Sequence, residues 1–410
     1  MRLLILSWEY PPYVVGGLGR HVAELAPALA QQNVEVHVIT PTATIQHVAV
    51  VEEQLVHVHR VFAPGLTAKT DIYNQVIQVN RTLENYVMHQ LVEEKFDLVH
   101  VHDWLTAFAG IKLQRAKGWP LIATIHATER GRGRGYIGND LQRRIDETER
   151  MLIQDADHVI VCSRFMAEEV RSFFHTPPSR IDVVPNGVNI ADMQVNCTPA
   201  ERLAFRAKYA EPADLIIFSV TRLVYEKGIH RLVEAAPQIL AEFPQARIII
   251  AGKGPEAETL KHQVDYLGVS RRVNFVGFIS DEERNLFYKV ANCAIFPSIY
   301  EPFGIVALEA MATGCPVIVS DVGGLSEIID HTRTGITIYP DDAGSVTWGV
   351  LRILNDAEAA QQNAVNAFRY VEQLYNWPRI ARLTRAVYNR VFNAAQVRMK
   401  QKSFDSTSQL

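Results

Sequence analysis

Short apolar, β-branched runs alternate with amphipathic stretches of helical length along this whole chain, and the series restarts once. The first set is Leu3–Ser7, Val34–Thr40, Leu98–His102, Leu121–Ile125, Val159–Cys162 and Ile181–Val184. The second begins after residue 213 with Leu215–Val220, Arg247–Ala251, Val273–Val276, Ala294–Pro297, Val317–Ser320 and Ile336–Tyr339. Strands buried on both faces read as unbroken apolar runs and are joined by crossover helices, so the pattern predicts parallel sheets covered by helices on both sides. The restart predicts two doubly wound halves, in keeping with a length of 410 residues and the size one hydrophobic core usually serves.

Pro185-Asn186-Gly187 carries turn chemistry, and the segment from Ala191 to Pro199 is polar and irregular, which puts the hinge near residues 185–200. The expected domains are 1–190 and 191–375, with a C-terminal helix over 376–400. Trp377-Pro378 suits the first turn of a helix continuing from Arg379 to Phe392, and the tail beyond Lys402 is expected to fray.

Composition removes several classes of function. A formal charge of −4 gives no global basic field for nucleic acid or a membrane surface. Cys162, Cys197, Cys293 and Cys315 lie too far apart in sequence for a zinc ribbon or a disulfide scaffold and read as reduced thiols. The apolar run Leu3 to Leu6 soon meets Glu9 and Pro11, so neither a signal peptide nor a spanning helix is expected, and a cytoplasmic location is. Peripheral contact with a membrane stays open.

Four constellations carry chemistry. Gly16-Gly17-Leu18-Gly19 lies between the first strand and the helix Arg20 to Gln31, where backbone amides can approach an anion closely. A dinucleotide fingerprint fails there. Val22 stands at the third glycine position, the loop is too long, and the second strand ends at Thr40 without an acidic residue for a ribose. Gly252-Lys253-Gly254 likewise lacks the hydroxyl residue of a Walker loop.

Arg222-Leu223-Val224-Tyr225-Glu226-Lys227-Gly228 follows the first strand of the second half, and two cations at a strand's carboxyl end suit a diphosphate. The segment from Ser298 to Pro316 places Glu301 before a small-residue helix that begins near Ile305, and Glu309 inside it. Eight residues of helix span about 12 Å, too far for a glycosidase pair, so the two carboxylates serve different parts of one long ligand. The free amides around Phe303, Gly304 and Ile305 suit a phosphate or a sugar hydroxyl. In the first half, His126 follows a strand end, and His102-Asp103-Trp104 ends the preceding one with an acid and an aromatic platform.

Together these residues resemble the retaining family-four glycosyltransferases of GT-B fold, which include glycogen and starch synthase-like enzymes. The resemblance covers most of the chain. It rests on Pro11-Pro12 with Gly16-Gly17, His126, Asn186-Gly187-Val188, Arg222 with Lys227-Gly228, Gly252 to Gly254, and Glu301 to Glu309.

It implies an α/β architecture of two Rossmann-like domains facing each other across a cleft, the C-terminal helix crossing back onto the first. Arg222 and Lys227 would hold the donor diphosphate, Glu309 the ribose and Glu301 the sugar hydroxyls. His126 would support charge near the anomeric carbon, and the base would rest near Gly277, Phe278 and Ile279. Gly16 and Gly17 would meet the phosphates from the opposite domain. Transfer would proceed by front-face attack, the leaving phosphate accepting the acceptor's proton, so the protein mainly positions groups and stabilises charge. No metal or other cofactor is expected.

Bacterial ADP-glucose-dependent glycogen synthases carry a lysine two residues before the double glycine, where this chain has Val14, so UDP and ADP both remain open with glucose the preferred sugar. On the acceptor side stand Asp103, Trp104 and the glycine-rich basic stretch with Arg132, Arg134 and Tyr136, which joins Arg143 and Arg144 in one cationic patch. Aromatic platforms favour an α-glucan acceptor. The arginines suit a sugar phosphate, as in sucrose-phosphate synthase-like relatives, and a lipid-linked acceptor ranks third. A non-catalytic sugar-nucleotide sensor is the alternative from another functional class.

Overall fold

The computed structural model describes residues 1–13, 16–194 and 197–407, with side chains through Gln401. The chain divides into two compact units, Met1–Gly187 with Trp377–Leu410, and Val188–Asn376. Val14 lies outside the described residues.

The first unit holds an eight-stranded sheet: β1 Arg2–Leu6, β2 Glu35–Thr42, β3 Ala49–Glu53, β4 Val56–Phe62, β5 Leu98–His102, β6 Leu121–Ile125, β7 His158–Val161 and β8 Ile181–Val183. Their order is β3-β4-β2-β1-β5-β6-β7-β8, parallel throughout except where β3 runs antiparallel to β4. Leu3 to Leu6, Val99, Val101 and Leu121 to Ala123 are wholly buried, as strands covered on both faces must be.

The β3–β4 hairpin is absent from the strands expected from sequence. Its tight connection is Gln54-Leu55, both at positive φ (50° and 68°), a conformation usually signalled by glycine or asparagine. Without that signal, and with β3 half-exposed, the alternating Val56–Phe62 was not read as a strand.

The second unit holds β9 Leu215–Val220, β10 Ala246–Ala251, β11 Val273–Gly277, β12 Cys293–Phe296, β13 Val317–Ser320 and β14 Ile336–Ile338, ordered β11-β10-β9-β12-β13-β14 and all parallel. Ser280 and Glu283 form a reciprocal capping box at Asp281–Val290, and Thr198 with Glu201 does the same at Pro199–Ala207. Among the described residues, the short helix Ile190–Met193 overlaps the start of the segment expected to be irregular.

The last helix is longer than expected, running Trp377–Thr407. Trp377, Ile380, Tyr388 and Val391 pack in the first unit's core with Val22, Leu25 and Leu29. Gly187 lies so close to the Trp377 indole that a Cβ there would stand 2.8 Å from it. The tail expected to fray continues as helical backbone to Thr407, and residues 408–410 lie outside the described ones. Among the described residues no helix is long and apolar enough to cross a membrane. All four cysteines are free thiols, and burial pushes Cys293 up to about 12.

Candidate functional site

Each sheet has one point where the chain leaves two neighbouring strands in opposite directions, and ligands of open α/β sheets sit at the carboxyl ends beside such points. In the first unit the strands are β1 and β5, and in the second β9 and β12. The candidate residues gather on the loops that leave these strands and their immediate neighbours.

In the first unit, Asp103 follows β5 with φ 54°, turning the chain sharply. Its Oδ1 accepts the backbone N–H of His126 at 2.7 Å, which fixes the start of the loop after β6. Burial raises the Asp103 carboxyl to about 6, against the lowering effect of that hydrogen bond. His126 Nε2 lies 3.1 Å from Nδ1 of the buried His102. From the helix Gly17–Ala30 the buried His21 reaches in. Its Nδ1 is 2.7 Å from Asn186 Oδ1, and its ring stands edge-on to His126 with centroids 4.9 Å apart. Burial lowers His126 to about 4 and His21 to about 3, so both are neutral at pH 7, able to donate or accept a hydrogen bond.

Sequence reasoning missed His21, and it named Asn186 for its turn and for the resemblance but not as a partner of that histidine. The two are 165 residues apart, and the signal for His21 was a histidine inside an otherwise apolar helical face.

Gly17 is exposed at the start of its helix, while the Gly16 N–H donates to Glu9 Oε2 at 3.0 Å, so the chain's own carboxylate engages one of the amides expected to face an anion.

The acceptor-side residues divide. Arg132, Arg134 and Tyr136 are exposed. Trp104, expected as a platform, is buried with Val76 and Ile145, and Tyr73 stacks on it at 5.7 Å, so its ring belongs to a small core. The dense cationic patch is also largely neutralised. Arg130 is held by Asp146 through two hydrogen bonds (3.0 and 2.6 Å), Arg143 pairs with Asp140, and Arg144 lies over the Tyr73 ring near Asp71. Asp140 and Asp146 lie on the same helix as Arg143 and Arg144, Asp140–Asp155, and Asp71 caps another helix.

In the second unit, the loop after β9 docks on the loop after β12. The N–H groups of Ile299 and Tyr300 donate to Glu226 O, and Gly228, at φ 66°, passes so close that a Cβ would meet Pro297 O at 1.9 Å. This contact brings Lys227 Nζ within 2.7 Å of Glu301 Oε2, and the Ser298 hydroxyl donates to the same oxygen at 3.2 Å. Glu301 is buried, whereas Arg222 is exposed.

The Gly252–Gly254 loop lies against the same β9 loop, with Leu223 N donating to Lys253 O at 2.9 Å. A Cβ on Gly252 or Gly254 would strike Thr221 O (1.8 Å) or Leu223 O (2.1 Å), so these glycines are required by loop packing. Gly277 ends β11 at φ 73° in open space, next to the exposed Phe278 and the half-buried Ile279.

Gly304, at φ 102°, caps the helix Ile305–Ala312, directly after the buried Phe303. Glu309 is buried inside that helix, with its Oε1 3.3 Å from Arg284 Nη1, itself buried. Arg284 was not singled out from sequence. The requirement that a buried carboxylate find a cation was the available signal, but it does not say which arginine answers.

Models of two families match the chain, Glycosyltransferase Family 4 over residues 15–192 and Glycosyl transferases group 1 over residues 201–369. An uncharacterized glycosyltransferase of Methanocaldococcus jannaschii is 37% identical over 95% of this chain and 98% of its own length. Glycogen synthase of Mycobacterium tuberculosis is 34% identical over 95% of this chain and 94% of its own. Among solved structures, sucrose-phosphate synthase from Thermosynechococcus elongatus superposes with a TM-score of 0.80 at 26% identity, over 96% of this chain and 99% of that one. The chain belongs to the GT-B glycosyltransferases, is glycogen and starch synthase-like, and uses a nucleotide-sugar donor.

Proposed function

We propose that the chain transfers glucose from a nucleoside diphosphate donor to an α-glucan, with retention of anomeric configuration. The observation that carries the reading is the Lys227–Glu301 contact at the β9/β12 switch point. An ammonium has three donors, so one spent on Glu301 leaves two for phosphate oxygens beside the exposed Arg222. Glu301 is then held rigidly beside the diphosphate, where it accepts hydrogen bonds from sugar hydroxyls. The buried Glu309 offers a second carboxylate, for the ribose, and the neutral His126 a polar group for the sugar. Neutralisation of the diphosphate by two cations supports transfer without an essential metal.

The glucan acceptor is supported by the 34% identity to a glycogen synthase along nearly the whole chain. A second reading, transfer to a sugar phosphate, is favoured by the exposed Arg132 and Arg134 and by the likeness to sucrose-phosphate synthase. The deciding experiment measures nucleoside diphosphate release from UDP-, ADP- and GDP-glucose without added metal, with glycogen or fructose 6-phosphate as acceptor. Stimulation by glycogen is expected. Stimulation by the sugar phosphate alone replaces the first reading with the second, and donor binding without stimulated release by either leaves a sensor.

A further inference from the structure

Four imidazoles crowd the first unit beneath the β1/β5 switch point. His100 and His102 lie 4.2 Å apart between ring centroids, His102 and His126 stack at 5.4 Å, and His21 is 5.4 Å from His102. A sugar-contacting role asks only for His126, and His100 is taken up by Thr124 Oγ1 and the Tyr388 hydroxyl, each at 2.7 Å, which leaves His21 and His102.

Three of the rings converge as ligands do. One ring nitrogen each from His21, His102 and His126 lies within 4.8 Å of the other two. The closest pair, His102 Nδ1 and His126 Nε2 at 3.1 Å, is near the separation of about 3.3 Å that two nitrogens take on a tetrahedral ion with bonds of about 2.05 Å. His21 is oriented from behind. Asn186 Oδ1 is an acceptor, so Nδ1 carries the proton and Nε2 keeps its lone pair, the outer-shell arrangement that prepares a histidine for a metal. His102 faces His126 through Nδ1, and its Nε2 is buried without a hydrogen-bond partner, so of the two rings only His21 has an outer partner among the described residues.

We infer that His21, His102 and His126 form a binding site for a zinc-type transition-metal ion, with three neutral imidazoles as ligands and a fourth position open on the half-buried His126 side. Three borderline nitrogen donors with an open position suit Zn²⁺ or Co²⁺ better than Mg²⁺ or Ca²⁺, which need oxygen. An ion held there occupies the lone pair of His126 and so inhibits transfer, a consequence that rests on the sugar-contacting role proposed above.

The test titrates the chelator-treated full chain with Co²⁺, followed by its visible absorption, and with Zn²⁺ by calorimetry. One equivalent should bind, with His21→Gln and His102→Gln each weakening it at least tenfold. The other convergent set, Glu35, His37 and His57, supplies the control, since His57→Gln should leave affinity unchanged. Affinity unaffected by the first two variants, or lost in the third, overturns the assignment. Should the buried variants fail to fold, protection of His126 from diethyl pyrocarbonate by Zn²⁺ in the wild-type protein decides the matter, and an unprotected His126 overturns the site. Zinc binding without inhibition of transfer would refute the role of His126 while leaving the metal site standing.

Discussion

Lys227 Nζ sits 2.7 Å from Glu301 Oε2, 74 residues away in sequence, joining the loops that leave two adjacent parallel strands. Glu301 has the Ser298 hydroxyl as a further partner, but Lys227 is the cation beside it. The neighbouring Arg222 is exposed. The two cations therefore differ in what their loss does to the fold. Lys227→Ala strands a buried carboxylate and is expected to cost about 1–3 kcal/mol. Arg222→Ala should fall within about 0.5 kcal/mol of wild type. Urea unfolding of both variants measures the difference, and equal midpoints would remove the pair from the fold's support.

Turnover should separate from binding at the same pair. Glu301→Gln keeps the shape but weakens its hydrogen bonds to the sugar, so kcat is expected to fall by about a hundredfold while the affinity for free UDP or ADP stays within a few-fold. Arg222→Ala combined with Lys227→Gln should instead abolish nucleoside diphosphate binding. Calorimetry with the free nucleotide beside steady-state rates distinguishes the two patterns.

Ten of the twelve strands read from sequence are largely buried, which leaves an unbroken apolar run, and the other two, β8 and β11, are partly exposed strands at the sheet edges. The β3–β4 hairpin escaped because Gln54-Leu55 makes its turn without glycine or asparagine and β3 keeps one face exposed. In the candidate site, glycine-rich loops and charged residues at strand ends were legible because each carries its own local signal. Pairings were not. Arg284 reaches Glu309 from another helix, Asn186 reaches His21 from the far end of the unit, and Asp146 takes Arg130 out of the apparent cationic patch. Local sequence shows what a residue can do, whereas packing decides which partner it meets.

Glycines test the loop packing directly. At Gly228 both the positive φ and the 1.9 Å approach to Pro297 O forbid a side chain, so Gly228→Ala should cost about 3 kcal/mol or more and weaken donor binding through the displaced Lys227. Gly277 has a similar φ of 73° but nothing within 4 Å of its Cβ position, so Gly277→Ala should cost only about 1 kcal/mol. Comparable losses in the two variants would show that backbone strain, and not loop docking, sets the requirement.

The histidine cluster makes stability depend on pH. Burial pulls the His21 pKa down to about 3, and the unfolded chain retains about 6.5. Between those values the unfolded state takes up a proton that the folded state refuses. Stability is therefore full above about pH 6.5 and falls as the pH drops toward 3, by about 2 kcal/mol at pH 5 for this one group. His100, His102 and His126 are lowered by burial too and act in the same direction. The urea midpoint should drop between pH 7.5 and pH 5, and His21→Gln should flatten that dependence.

Acceptor choice can be read from two sets of exposed residues in the loop after β6. Arg132 and Arg134 are the arginines of the loop that remain exposed, once Arg130 is tied to Asp146. A charge-assisted hydrogen bond from each to a phosphate would contribute about 1.5–3 kcal/mol. If the acceptor is a sugar phosphate, Arg132→Ala with Arg134→Ala should therefore raise its KM by at least tenfold and leave donor affinity alone. Tyr136 is 72% exposed and offers an aromatic face of the kind that stacks on a sugar ring. For a glucan acceptor the expected pattern is the reverse, with the arginine pair nearly silent and Tyr136→Ala raising the KM for glycogen. Because the two variants lie within one loop, a general disturbance of the loop would raise both constants, and only a selective effect identifies the acceptor.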